Sequence, residues 1–256
     1  MTVLLNDLFG LTPFYCLMGF LAVAFAGGLR AFSGFGFALA GVPLLALIFG
    51  PAQAVPIVLV LEVIGGLQMV PMIRKQVDWG AVGLLIPAAL VGAPLGVWAL
   101  SVLSPDWLRL VIAVALAGAV IVIATGARLP ANTPRKWVLT VGGLSGLMAG
   151  STAMSGPPVL VYFMARADEA SRNRASMMMY FLFISTATVA VGILSGVVTW
   201  QTVAVGALFS PALIASNLVG HWLFGLTRDD IYRRISFALL CIIAAATLFK
   251  AIIDLI

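Results

Sequence analysis

Charge is what this chain has least of. Asp, Glu, Lys and Arg make up only 9% of its 256 residues, against a hydrophobic share of 62% and a mean hydropathy of +1.16. A water-soluble domain carries about a quarter charged residues, so the composition excludes that class and selects a polytopic, all-α membrane protein. Histidine occurs once and cysteine twice. Cys16 and Cys241 lie inside apolar segments near opposite ends of the chain. That placement reads as two small buried hydrophobes, with neither a disulfide nor a redox pair. No Cys/His spacing points to a metal, and no cofactor is expected. Neither clustered carboxylates nor a nucleophile beside a base is present, which argues against an enzyme. A glycine-rich nucleotide loop is also missing, so any transport work must draw on ion or substrate gradients.

The net charge of +5 does not indicate nucleic acid. The basic residues sit between apolar runs and form no patch, so their expected role is to orient the chain in the bilayer. No basic stretch precedes the first apolar run, and that run is expected to be a retained helix, not a cleaved signal.

What is abundant is apolar sequence, divided by its punctuation into ten stretches. In the first half these run from about Pro13 to Leu29, Gly34 to Phe49, Ala52 to Ile73, Gly80 to Val102 and Leu108 to Ala127. A polar connection follows, and after it come Trp137 to Gly150, Pro158 to Ala165, Ala175 to Val198, Thr202 to Leu226 and Ile231 to Ile253. Crossing the bilayer core takes about 20 apolar residues, so the sixth and seventh stretches are too short to span upright. They read as a broken or re-entrant hairpin, with the first two stretches as its counterpart.

The halves look duplicated. Pro43-Leu44 aligns with Pro158-Val159, Val77-Asp78-Trp79 with Val198-Thr199-Trp200, Pro87 with Pro211, Gly96-Val97-Trp98 with Gly220-His221-Trp222, and Arg109 with Arg233. The separation drifts in one direction only, from 115 to 124 residues. The expected organisation is one integral membrane domain: a first repeat over 1–127, a connection over 128–136 and a second repeat over 137–256. If all ten stretches count as crossings, 12 of the 14 basic residues fall on one side. The positive-inside rule favours that count. Five passes per half then invert the second repeat and leave both termini outside. Inverted repeats with interrupted helices are a common secondary-transporter architecture, with the site at the repeat interface.

The residues with chemistry sit at the interruptions. Arg30-Ala-Phe-Ser33-Gly34-Phe35-Gly36 puts a guanidinium beside a glycine-broken start of the next helix. A helix N-terminus with a guanidinium suits a forked oxyanion such as carboxylate, sulfite or sulfonate; the plain alternative is an arginine snorkelling to the interface. Phe32, Phe35, Phe37 and Trp98 read either as packing residues or as lining for the anion's organic part. The second interruption offers Ser151, Thr152 and Ser155 with Gly156 before Pro157-Pro158. It is a neutral hydrogen-bonding wall or a small-residue packing corner. Glu62 is the acid in the middle of a long apolar stretch, a candidate proton carrier or a partner for Arg30. His221 shares a helical face with Asn217 and is a second candidate for proton coupling or, more simply, a packing residue. Asp78, Asp168 and the other loop acids read as solvated corners and helix caps, and Met177 to Met179 as lipid or core packing.

These residues carry a resemblance. Ser33-Gly34-Phe35-Gly36 with Gly41-Val42-Pro43, the Val77-Asp78-Trp79 corner with small residues up to Gly96, and Gly142-Gly143-Leu144-Ser145-Gly146 with Gly156-Pro157-Pro158 resemble the sulfite exporter TauE/SafE family. The likeness covers about Gly19 to Ile252. It implies a multi-pass permease of a prokaryotic cytoplasmic membrane, taking sulfite, sulfonates, sulfoacetate or related organosulfur anions. An exporter working by alternating access is the leading expectation, and an anion channel using the same interruptions as a filter is the alternative. Lipid and the anion are the expected partners; proton coupling and a homodimer stay open. Many members carry adjacent glycines where this chain has Gly34-Phe35-Gly36-Phe37 and Ser151-Thr152-Ala153-Met154, so the resemblance fixes the anion class better than the individual substrate.

Overall fold

The computed structural model describes residues 12–102, 133–166 and 168–228, with positions 230–232, 234–235, 238, 241–242 and 245 beyond them. The fifth apolar stretch, most of the polar connection and much of the tenth stretch lie outside the described residues, as do Arg109, Arg233 and Lys250. Eight helices are described: α1 (Pro13–Ser33), α2 (Ala38–Phe49), α3 (Pro51–Ile73), α4 (Trp79–Val102), α5 (Arg135–Thr152), α6 (Gly156–Met164), α7 (Ala170–Leu194) and α8 (Trp200–Gly225). No strand occurs among the described residues.

Local chemistry sets the helix ends. The Thr12 side chain accepts from the Tyr15 amide before Pro13 opens α1, and Asp78 Oδ1 accepts from the Ala81 amide at 3.2 Å to start α4. Thr199 and Thr202 cap each other reciprocally ahead of α8. Among the described residues five helices are long and apolar enough to cross a membrane: α1, α7 and α8 over their full lengths, α3 from Ala52 and α4 as far as Ala99. The chain is a multi-pass membrane protein. Trp79, Trp137 and Trp200 are exposed at or near the first residues of α4, α5 and α8, the level at which an aromatic belt meets lipid headgroups.

Packing follows a paired scheme. Helix α1 lies along α8 and α4 lies along α5; α3 packs against both α7 and α8, and α7 against both α3 and α4. Partners are read from neighbouring residues: Gly19 meets Phe209 and Gly28 meets Gly220, so α1 and α8 run parallel. Leu85 meets Gly142 and Ala93 meets Gly150, so α4 and α5 also run parallel. In contrast α3 and α7 are antiparallel, with Gly66 against Leu182 and Asp78, just past α3, bonded to Ser176 near the start of α7.

The α4–α5 contact is made by backbone. A Cβ added at Gly142, Gly146 or Gly150 would run into the carbonyl oxygen of Leu85, Ala89 or Ala93, and one at Gly92 or Gly96 into the Gly143 or Leu147 carbonyl. Without a hydrophobic drive between helices in lipid, such close approach is what holds them together.

The second helix of each pair is short, 12 residues in α2 and 9 in α6, whereas α1 is long enough to span. The chain breaks between α1 and α2 and again between α5 and α6, and the two breaks share one geometry. Ser33 Oγ donates to Leu29 O at 2.8 Å and accepts from the Phe35 amide at 3.2 Å; Thr152 Oγ1 donates to Met148 O at 2.8 Å and accepts from the Met154 amide at 3.2 Å. The next residue is left-handed in each case, Gly34 at φ 77° and Ala153 at φ 58°, and closes its helix by bonding back to Arg30 O or Ala149 O. Ala153 holds that conformation despite its Cβ.

Candidate functional site

Arg30 sits in the last turn of α1 and is 1% exposed. Its Nε donates to Glu62 Oε1 at 3.0 Å, and Glu62 Oε2 accepts from the Phe37 amide at 2.6 Å. Of the two roles open to Glu62, the geometry gives partnership with Arg30. The carboxylate joins the end of α1 to the start of α2 across the break. Arg30 therefore does not snorkel, and it does not belong to the side charges that orient the chain.

Three of the backbone amides at the start of the next helix are already engaged. Gly34 N bonds to Arg30 O, Phe35 N to Ser33 Oγ and Phe37 N to Glu62. Gly34 and Gly36 both take positive φ, 77° and 83°, because the turn doubles back tightly against α7: a Cβ on Gly34 would meet Arg174 and one on Gly36 would meet Phe181. Phe35 and Phe37 are fully packed in the core, whereas Trp98 is exposed. The side chain with free donors at this break is the guanidinium itself. Arg30 Nη1 and Nη2 are buried with no hydrogen-bond partner among the described residues.

The second break is buried, and most of its hydroxyls bond within it. Ser151 Oγ donates to Leu147 O at 2.9 Å, and Ser145 Oγ donates to Ser155 O at 2.6 Å while accepting from the Tyr180 hydroxyl at 2.9 Å. Gly156 lies against Leu39 and the Phe35 carbonyl, so the two breaks touch. Ser151, Thr152, Ser155 and Gly156 thus form a neutral wall in which the Ser151 and Thr152 hydroxyls are spent on their own backbone and Ser155 contributes its carbonyl to Ser145.

Arg174 is the residue sequence reasoning missed. The sequence puts it just ahead of the eighth apolar stretch, which begins at Ala175. Helix α7 instead begins at Ala170, which carries Arg174 one turn inside, where it is 0% exposed. Its Nε and Nη2 donate to Ala31 O, the residue next to Arg30, and its guanidinium lies 4.1 Å from the centre of the Phe224 ring. Nη2 also lies 3.2 Å from His221 Nδ1. A guanidinium only donates, so Nδ1 accepts and the His221 proton sits on Nε2. Arg174 Nη1 has no partner among the described residues. The Arg172-Asn173-Arg174 run was the available signal, since a helix start placed one turn earlier would have turned its last member inward.

Two neutral amides complete the cluster. Gln68 Nε2 donates to Ile214 O at 3.0 Å, and Asn217 Nδ2 donates to Gln68 Oε1 at 2.8 Å. Gly65, one turn beyond Glu62, faces both Arg30 Nη1 and Asn217 Nδ2: a Cβ there would stand 2.9 and 3.0 Å from them. Asn217 and His221 share a face of α8, as expected, but reach different partners.

Asp78 does cap α4, but it is more than a solvated corner. It accepts from Arg166 at 2.8 Å and pairs with Arg172 at 3.6 Å, so the α3–α4 and α6–α7 connections meet. Cys16 and Cys241 are free, and Met177 to Met179 are core.

Interrupted apolar helices thus surround a buried, partly unsatisfied cationic centre in a multi-pass membrane protein. The family model described as Sulfite exporter TauE/SafE matches residues 19–247, and the chain belongs to that family of membrane-spanning transporters. No curated protein and no solved structure matches the chain.

Proposed function

We propose that this protein is a secondary transporter that exports small sulfur-containing anions, of the sulfite, sulfonate or sulfoacetate type, across the cytoplasmic membrane. One observation carries the reading. The buried charged residues among those described are Arg30, Arg174 and Glu62, two guanidiniums against one carboxylate, and three of their Nη atoms have no partner. An uncompensated buried charge is costly, and an oxyanion is the complement that removes the cost. Arg30 is the anchor, Glu62 positions it, and Ser33, Gly34, Phe35 and Gly36 form the wall that holds its helix end. Ser151, Thr152, Ser155 and Gly156 form the facing neutral wall.

The mechanism we infer is alternating access between two inverted halves. Three features support it: the matching turns at Ser33 and Thr152, the exchange of outer helices between halves, and the antiparallel crossing of α3 and α7. The inside-negative potential drives anions outward, so export needs no nucleotide. In this reading both termini lie outside and the basic connections face the cytoplasm. The test is flux of sulfite and sulfoacetate from proteoliposomes against a panel of other anions. Protein-dependent, saturable flux of sulfur anions is expected; none for any of them rejects the substrate class.

A further inference from the structure

The amides beside Arg30 constrain the ligand further. The Ile214 carbonyl can only accept, so the Gln68 nitrogen must be the atom that faces it at 3.0 Å. Gln68 therefore turns its oxygen to Asn217, and Asn217 must meet that oxygen with its nitrogen, at 2.8 Å. The chain of obligations fixes an amide orientation that would otherwise be ambiguous. It leaves Asn217 Oδ1, on a residue 0% exposed, as a buried acceptor with no donor among the described residues. Gly65 lets the α3 backbone pass close to both groups, since a Cβ there would stand 2.9 Å from Arg30 Nη1 and 3.0 Å from Asn217 Nδ2, and so keeps the amide and the guanidinium beside each other.

We propose that Asn217 is a specificity-determining residue, and that the ligand taken by Arg30 and Asn217 together is an oxyanion that also carries a hydrogen-bond donor. The anionic oxygens answer Arg30 Nη1 and Nη2, and the donor answers Asn217 Oδ1. A singly protonated sulfite or a hydroxyl- or amino-bearing sulfonate meets both demands, whereas a fully ionised or purely alkyl anion leaves Oδ1 unpaired. Sites built to hydrogen-bond a hydroxyl reject the analogue lacking it, because a buried polar group is then stranded.

The inference rests on the anion-transport reading, and one comparison separates the two. Proteoliposomes holding the full chain are assayed with 2-hydroxyethanesulfonate and with 1-propanesulfonate, which differ by a hydroxyl in place of a methyl group. The expected result is a preference of about ten-fold or more for the hydroxyl compound in the wild type. In Asn217→Leu the ratio of the two rates falls to about one, whatever happens to the absolute rates. Equal rates in the wild type would overturn the inference while keeping the transporter, and they are what a site filled by water alone would give. A preference that persists in Asn217→Leu would also overturn it. If that variant does not fold, the wild-type ratio still decides. Flux of neither compound, nor of sulfite, removes the functional reading itself.

Discussion

Glu62 takes the Nε edge of Arg30 at 3.0 Å and leaves the Nη edge free. A carboxylate that used the whole fork would occupy the arginine's donors and close it. This one holds the guanidinium by its side, and its second oxygen ties the same unit to the Phe37 amide at 2.6 Å. The guanidinium is thus held in place with its Nη donors unused.

Arg30→Lys is expected to fold, because the ammonium can still reach Glu62. It loses the planar fork, and sulfite transport should fall about ten-fold or more. Initial rates at saturating and sub-saturating sulfite read the effect, and wild-type rates would speak against direct contact with the anion.

Removing Glu62 leaves both buried guanidiniums without a counter-charge. Glu62→Ala should destabilise the protein by about 3–5 kcal/mol, with Glu62→Gln in between because an amide oxygen can still accept from Arg30. Thermal unfolding in detergent measures the order. If Glu62 instead carried the transported proton, Glu62→Gln would keep its stability and lose the pH dependence of transport.

Gly146→Leu would force the α4 and α5 backbones apart, since its side chain would begin where the Ala89 carbonyl lies. The cost should exceed the roughly 1–3 kcal/mol of ordinary overpacking, because backbone cannot turn aside as a side chain can. Expression and monodispersity report it. Gly83→Leu is the control, with nothing near its Cβ.

Because Asp78 pairs with both Arg166 and Arg172, single cysteines at Lys75 and Arg172 should label from one face of the membrane. Reaction from opposite faces would break the shared-side arrangement on which the inverted reading depends.

Much of this was legible in the sequence, and the residues explain why. The spans follow from hydropathy, and the two breaks from glycine and proline inside apolar runs, where lipid offers no partner for loose backbone. The Arg30–Glu62 pair was one of two roles read for Glu62, since 32 residues of separation cannot tell a partner from a proton carrier. Arg174 stayed hidden because a charged run before an apolar one reads as a loop until the helix start is known. Asn217 and Gln68 were visible only as polar residues in greasy helices, as their meaning lies in who accepts from whom. The spent hydroxyls at Ser151 and Thr152 followed the same rule, since a serine or threonine in a helix bonds its own preceding turn when nothing else is near.

The most direct measurement places an anion in the site. Selenite is a heavier analogue of sulfite whose selenium scatters anomalously, so its position in crystals of the protein can be read independently of the oxygen atoms around it. The account predicts an anomalous peak with selenite oxygens within hydrogen-bond distance of Arg30 Nη1 and Nη2, and no peak there in Arg30→Lys crystals at the same concentration. Selenite bound elsewhere, with the Arg30 Nη edge still bare, would contradict it.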